Sequence, residues 1–578
     1  MSASYSTSDE AAETTLLIRP TASYPPTLWV DDFLTLQGDG MNGPSTFEAE
    51  HEELKEIVRR MVTAATSAVE HKDQKLRLID DLQHLGVSYH FEGEIEAELL
   101  NMTSTDMLSD SNDLNSIAIW FRLLRQQGLN ASPDIFEKFK DGEGNFLVSL
   151  ASDVPSLLSL YEACFLAIPG EDILDQALAF TTQHLDSYAS NHSGGNNIMN
   201  PKLAEEVRFA LPRPIRKRLP RLEARRFIDT FNMDDQSSSH DISGSLLRFA
   251  QLDFNIVQRL HQEELREIQQ WWVDLDVATN FKYARDRIVE CYLWIMGMYF
   301  EPKYSQGRRL LTKLIAVMSL GDDTYDNYAT YEELAPFTEA IEKWDIDLVT
   351  NLPECMQKLY ALYRYRFDEI EDAFAAGGRP FGAVYAKKAL DTLLKAYLME
   401  AKWRDEDYRP NLEEYMQVSL VTTCFTVLTT VSFLAVPEAA TEDTFHWIST
   451  DPTVLVASKT VCRLMDDIVS HKFEQERKHV PSAVECYVDK TGLSEEKVVG
   501  VLNEQIAKAW KDMNKEYLMM NRPPNGMATN KPILDPMLNL ARVIDVIYKE
   551  DDGFRNSHLL KHYVVSVLQE PVSLVGHV

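Results

Sequence analysis

This chain is poor in glycine, cysteine, basic charge and long apolar runs, and each shortage excludes something. Only 23 of its 578 residues are glycine, and alternating strand patterns are scarce, which argues against a turn-rich β architecture. The six cysteines (Cys164, Cys291, Cys355, Cys424, Cys462, Cys486) are scattered, with no CxxC pair. They read as buried reduced thiols rather than a disulfide framework. Lys and Arg number 57 against 90 Asp and Glu, so the net charge is −33. Such a surface repels phosphate backbones and speaks against nucleic acid or an anionic membrane as partner. An anionic substrate then needs metal ions or local arginines. No apolar run is long enough to span a bilayer. The N-terminus shows no apolar signal core and no acid-poor transit segment; it carries Asp9, Glu10 and Glu13, and the expected location is the cytoplasm.

What the chain has in abundance is helical spacing. The first 45 or so residues read as irregular, with Pro20, Pro25 and Pro26 as breakers. Beyond them, EHEELKEIVRRMVTAAT and QKLRLIDDLQHLGV are amphipathic at helical period. The run DDQSSSHDISGS, residues 234–245, is the most linker-like stretch. The length suits two large domains. The expected fold is all-α, with an N-terminal helical domain over 1–240 and a C-terminal helical domain over 241–578.

Two carboxylate clusters fall in the second domain. Asp322, Asp323 and Asp326 lie in SLGDDTYDNYAT; Asp466, Asp467, Ser470 and Glu474 lie in RLMDDIVSHKFEQE. At about 100° per residue, Asp322 and Asp326 share one helix face, with Asp323 just around the cylinder. Asp466, Ser470 and Glu474 are spaced four and four, which aligns three oxygen ligands. The alternative for the first cluster is a solvated helix end. The apolar run LLTKLIAVMSLG before Asp322 favours a buried helix ending in acids. Oxygen-rich stripes suit hard cations, and Mg²⁺ keeps positions for water and substrate phosphates. The clusters therefore suggest a diphosphate held by metal.

Other features fit around that site. Arg463 precedes Asp466 by three, and reads either as a salt-bridge partner or as a guanidinium for a diphosphate. His471 points off the ligand stripe, as a surface or supporting group. Arg285 and Arg287 form an RxR pair in YARDRIVECYLW, with Trp294 two turns on. Trp294 reads as core packing or as an indole below a phosphate, where a ring face can stabilise a cation. The run 418–436 reads as an apolar helix studded with threonine, either bent so that carbonyls face a cavity or a plain core helix with satisfied hydroxyls. Tyr548 ends an apolar helix, and Asp551, Asp552 and Gly553 follow in a loop that reads as a lid or as plain surface.

Together these residues resemble the plant class I terpene synthases, most closely the cytosolic sesquiterpene type, over nearly the whole chain. Asp322, Asp323 and Asp326 match DDxxD. Asp466, Asp467, Ser470 and Glu474 match (N/D)Dxx(S/T)xxxE, and Arg285 with Arg287 matches RxR. The resemblance implies an N-terminal relic α-barrel whose first segment caps the site, and a catalytic C-terminal bundle. It implies three Mg²⁺ ions, with Mn²⁺ as a substitute. The implied metal ligands are the DDxxD aspartates, with the outer pair Asp322 and Asp326 foremost, and Asp466, Ser470 and Glu474. Arg285, Arg287 and Arg463 are the implied diphosphate-side arginines. Trp294 is implied at the pocket floor, and Tyr548, at the end of its helix, is a further candidate catalytic residue. The chain departs from the family pattern at Arg19-Pro20 before Trp29, where many relatives carry paired arginines, and at Phe554, where many carry tyrosine. The second departure removes a hydroxyl from any proton relay through the lid. No DxDD occurs; Asn232-Met-Asp234-Asp235 comes nearest, so protonation-initiated cyclisation is not expected.

The resemblance implies ionisation of farnesyl diphosphate, followed by carbocation cyclisation in a monomer. Geranyl or geranylgeranyl diphosphate is the alternative substrate. Three other readings compete. A chain-elongating prenyltransferase usually carries two DDxxD motifs. A di-iron bundle needs paired core ExxH elements, whereas Glu48…His51 and Glu476…His479 sit in polar stretches. A helical scaffold needs neither acidic stripe.

Overall fold

The computed structural model describes residues 19, 22, 24–35, 44–64, 69–103, 112–191, 201–231, 241–477, 479–520 and 531–574. Among these the secondary structure is helical; one isolated bridge, Lys140 to Phe146, is the sole β contact. The Asn232–Asp235 string and the first part of the linker-like run lie outside the described residues. The rest of that run differs from the expectation. A helix of 34 residues begins at Asp241 and continues to Asp274, because Leu246, Leu247, Phe249 and Ala250 bury a face there.

Local sequence sets the helix ends. Thr330 with Glu333, Asn411 with Glu414 and Ser482 with Glu485 form reciprocal capping boxes on three helices. Each satisfies two orphan donors at a helix start. The helix Ser305–Asn327, which carries the first acidic cluster, buries Leu310, Leu311, Leu314, Val317 and Leu320, a stripe at helical period that fixes its rotation. The helix Thr453–Glu474, which carries the second, packs against Glu495–Met520 and Lys531–Ile547.

The hydrophobic core is continuous from Trp29 to Val572 and does not stop at the expected domain boundary. Polar ties cross it as well. Arg213 donates to Asp545 Oδ2 at 2.8 Å, and Arg216 to Asn514 Oδ1 at 3.0 Å. Arg225 donates to the Ser566 carbonyl at 2.8 Å. No described helix is long and apolar enough to cross a membrane.

Candidate active site

The two acidic clusters line one cavity, of about 1270 Å³ with its open mouth included. His479 shows how near they lie. Its Nε2 is 3.6 Å from Asp326 Oδ2, and its Nδ1 is 3.7 Å from Glu474 Oε2. Asp322, Asp326, Asp466, Ser470 and Glu474 all face the cavity, as the i, i+4 spacing requires.

Asp323 differs from its expected place among the metal ligands. It is fully buried in the core and absent from the lining. Its carboxylate accepts Arg285 N at 2.7 Å, Arg285 Nε at 3.2 Å and Asn327 Nδ2 at 3.2 Å. The 100° step between neighbours turns it off the ligand face. Asp467 does the equivalent work on the second helix. It accepts the Tyr415 hydroxyl at 2.7 Å, Ala483 N at 2.8 Å and Arg463 Nη1 at 3.2 Å. In each DD pair one acid faces the cavity and the other positions an arginine.

Arg285 and Arg463 line the cavity. Arg285 Nη2 is 2.6 Å from Asp322 Oδ2, and Arg463 Nη1 is 3.2 Å from Asp466 Oδ2. Arg463 also donates to the Ser419 carbonyl and to Thr422 Oγ1, each at 3.2 Å. Arg287 is placed otherwise than expected. It caps the helix Ile288–Met298 with φ −135°, outside the helical range, so it does not continue the face of Trp294. Its guanidinium donates to the carbonyls of Phe554, Asp286 and Arg555 at 2.8 Å and of Pro25 at 2.9 Å. It joins the N-terminal segment to the loop after Tyr548 and does not line the cavity.

Trp294, Tyr548 and Phe554 line the apolar part. Trp294 meets Tyr548 edge-on at 6.4 Å and Phe554 at 5.7 Å. Its indole Nε1 is buried without a hydrogen-bond partner. The threonine-rich run is broken, not merely bent. One helix ends at Ser419, the next begins at Phe425, and Cys424 between them has φ +65°. Thr422, Thr423 and Cys424 face the cavity at this break. His471 is buried away from the cavity, with Nδ1 2.9 Å from Glu485, not at the surface. Glu48 and Glu476 are exposed, so the ExxH pairs form no core site.

The electrostatics are those of crowded carboxylates. Burial, then the charge of Asp326, raises Asp322 above the usual carboxylate range, against the pull of Arg285. Burial works the same way on Asp326, but the His479 contact and the charges of Arg477 and Arg404 bring it below that range. Burial, with Glu474 and Asp552 behind it, raises Asp466 despite Arg463. Burial lifts Glu400 to about 8. Buried like charges disfavour joint ionisation unless cations join them. The Ser470 hydroxyl is buried with no hydrogen-bond partner, an oxygen left open on the ligand face. The donor set is carboxylate and hydroxyl oxygen, which fits a hard divalent cation.

Several lining residues are not signalled by the motifs. Tyr24, from the N-terminal segment, accepts Asn327 Nδ2 at 2.7 Å. Arg477 lines the cavity with Nε and Nη1 buried and unpartnered. It follows Glu474 by three positions, and that spacing is the one clue the sequence offers. Glu400 and His479 sit among residues without a pattern.

Residues 28–211 match the terpene synthase N-terminal domain, and residues 273–512 match the terpene synthase family metal binding domain. The chain is 47% identical to a (-)-germacrene D synthase of Vitis vinifera, covering 96% of each chain. It is 45% identical to sesquiterpene synthase 2 of Toona sinensis, over 96% of this chain and 97% of that one. Isoprene synthase from grey poplar leaves, solved with three Mg²⁺ ions and dimethylallyl-S-thiolodiphosphate, superposes with a TM-score of 0.82 at 31% identity, over 95% of this chain and 99% of that one. A shared helical fold, a shared metal-binding domain and full-length identity near one half agree: the chain belongs to the terpene synthase family.

Proposed function

We propose that this enzyme is a sesquiterpene synthase, a carbon–oxygen lyase that ionises farnesyl diphosphate and cyclises the cation. The observation that carries the reading is the meeting of Asp326 and Glu474 at His479, which brings both acidic helices and two arginines to one aromatic-lined cavity. Asp322 and Asp326 would hold divalent metal on one side; Asp466, Ser470 and Glu474 would hold it on the other. Three Mg²⁺ ions suit this donor set, with Mn²⁺ as a substitute. The metal supplies Lewis-acid charge that stabilises the departing diphosphate.

The chain's own groups do the rest. Arg285 and Arg463 exchange their carboxylate partners for phosphate oxygens, to which guanidinium binds in a fork. Asp323 and Asp467 keep both arginines aimed while this happens. Arg477 adds two open donors. Arg287 holds the N-terminal segment and the late loop together over the mouth, which excludes the water that would quench a cation. Trp294, Tyr548 and Phe554 present ring faces and edges to the hydrocarbon, and a desolvated ring face can stabilise a cation by about 2 kcal/mol. The Phe554 ring offers no proton, so the final proton goes to diphosphate or to another pocket group. The enzyme is proposed to act as a cytoplasmic monomer.

Incubation with farnesyl, geranyl or geranylgeranyl diphosphate and Mg²⁺, followed by gas chromatography and mass spectrometry, tests the proposal. Cyclic C15 products from the first substrate are expected. A preference for another chain length, or longer diphosphates formed with isopentenyl diphosphate, would overturn it.

A further inference from the structure

A second constellation lies outside this cavity, at the seam between the N-terminal helices and the Asp241–Asp274 helix. Asp253, buried on that long helix, receives three groups on one oxygen. His51 Nε2 lies 3.1 Å from Asp253 Oδ1, His90 Nε2 2.8 Å, and the Tyr89 hydroxyl 2.8 Å. His51 comes from the helix Pro44–Thr63 and His90 from a short turn, Ser88–His90. Three separate elements thus converge on one carboxylate.

We propose that His51, His90 and Asp253 form a transition-metal site, for Zn²⁺ or a similar borderline cation, that clasps the N-terminal helices to the catalytic domain. The two nitrogens and the carboxylate oxygen all lie within 4.8 Å of one another. Tetrahedral zinc with bonds near 2.0 Å sets ligand atoms about 3.3 Å apart. The two Asp–His edges are already within a few tenths of an ångström of that. The rings are held in place: His51 stacks on Phe249 at 4.9 Å, and His90 packs against the same ring at 5.4 Å. His51 Nδ1 is 3.5 Å from Glu52 Oε1, the carboxylate that a metal-bound imidazole uses to orient its remaining N–H. His90 is only partly buried, which gives an ion a way in. Imidazole ligands select against Mg²⁺, which prefers oxygen. This site and the acidic cavity therefore sort metals by ligand chemistry. Both histidines come from the first domain and the aspartate from the second, so the ion would tie the two together.

Chelator-stripped full-length protein is titrated with Zn²⁺ and, separately, Co²⁺. Because the acidic cavity also takes divalent ions, the titration is repeated on the Asp322→Ala, Asp326→Ala, Glu474→Gln triple variant. One tight equivalent is expected to remain there, with the intense visible absorption of tetrahedral Co²⁺. His90→Gln keeps a donor to Asp253 but removes the nitrogen ligand. It should weaken Zn²⁺ by at least about tenfold, abolish the Zn²⁺-dependent rise in Tm, and leave Mg²⁺-supported turnover unchanged. Equal Zn²⁺ stoichiometry and Co²⁺ spectrum in His51→Gln/His90→Gln overturns the site. So does the absence of any tight equivalent in the triple variant.

Discussion

Arg287→Lys separates two roles for this arginine, because it keeps the charge and removes the fork. Arg287 donates from Nε, Nη1 and Nη2 to four carbonyls, three of them on the N-terminal segment and the late loop. A lysine ammonium is a single point with three donors, and it cannot reach carbonyls spread around a planar fork. Two long-range bonds are expected to be lost. Hydrogen bonds to charged groups contribute roughly 1.5–3 kcal/mol each, so the low end gives about 3 kcal/mol. That is roughly a hundredfold in the ratio of closed to open segment. The assay is hydrogen exchange over residues 24–33 and 548–556 in the metal-free protein. Protection there should fall by up to about a hundredfold, with little change elsewhere. More water-quenched product should accompany it, at an unchanged half-saturating Mg²⁺ concentration. Unchanged protection together with a raised KM for the prenyl diphosphate would refute the reasoning and make Arg287 a substrate ligand.

Other outcomes are equally definite. Asp322→Ala or Asp326→Ala should lower turnover at least about a hundredfold with the fold intact, read by steady-state kinetics and circular dichroism. Asp323→Asn should act instead by freeing Arg285, raising KM for the diphosphate more than the half-saturating Mg²⁺ concentration. Glu474→Gln should raise the Mg²⁺ concentration for half-maximal rate, because an anionic ligand becomes neutral. A Cβ on Gly321 would lie 2.1 Å from the Tyr363 hydroxyl, so Gly321→Ala should cost about 1–3 kcal/mol by thermal melts; adding Tyr363→Phe should restore part of it. Glu400 titrates near 8 in the folded metal-free protein and near 4.3 unfolded. The folded state then binds more protons between those values, and stability declines as pH rises through them. Glu400→Gln removes that decline, so Tm of the variant relative to wild type should be higher at pH 8 than at pH 5; an unchanged gap contradicts the burial argument.

The helical fold and the cavity-facing acids are legible because both depend on regular spacing. Asp322 with Asp326, and Asp466 with Ser470 and Glu474, recur every four residues inside helices, and that period alone sets their common face. The family motif names Asp323 among the ligands, but the helical step of about 100° already turns it off the Asp322–Asp326 face. Arg287 misled for a related reason. Helical spacing to Trp294 assumes helical φ, and Arg287 stands one residue before the helix. The threonine run suggests a bend, whereas the chain breaks outright at Cys424, whose positive φ no residue type in the run signals. Tyr24, Arg477 and His479 sit on irregular backbone, where no period exists to read. The continuous core across the expected boundary was hidden for a similar reason, since a polar, serine-rich string looks like a linker even where it joins a helix.

The Arg287 junction also bears on how the enzyme is made. Pro25 leaves the ribosome more than 500 residues ahead of Phe554 and Arg555, whose carbonyls share its arginine. At roughly 5–20 residues per second, the interval is roughly half a minute to two minutes. Until then the first segment can meet Glu290 and Asn327 but not the late loop, and the Phe554 edge that packs on Trp294 is missing. Closure of the mouth therefore waits for synthesis of the loop after Tyr548. A chain halted before Phe554 would carry Asp322, Asp326, Asp466 and Glu474 and still lack the loop that seals them from water.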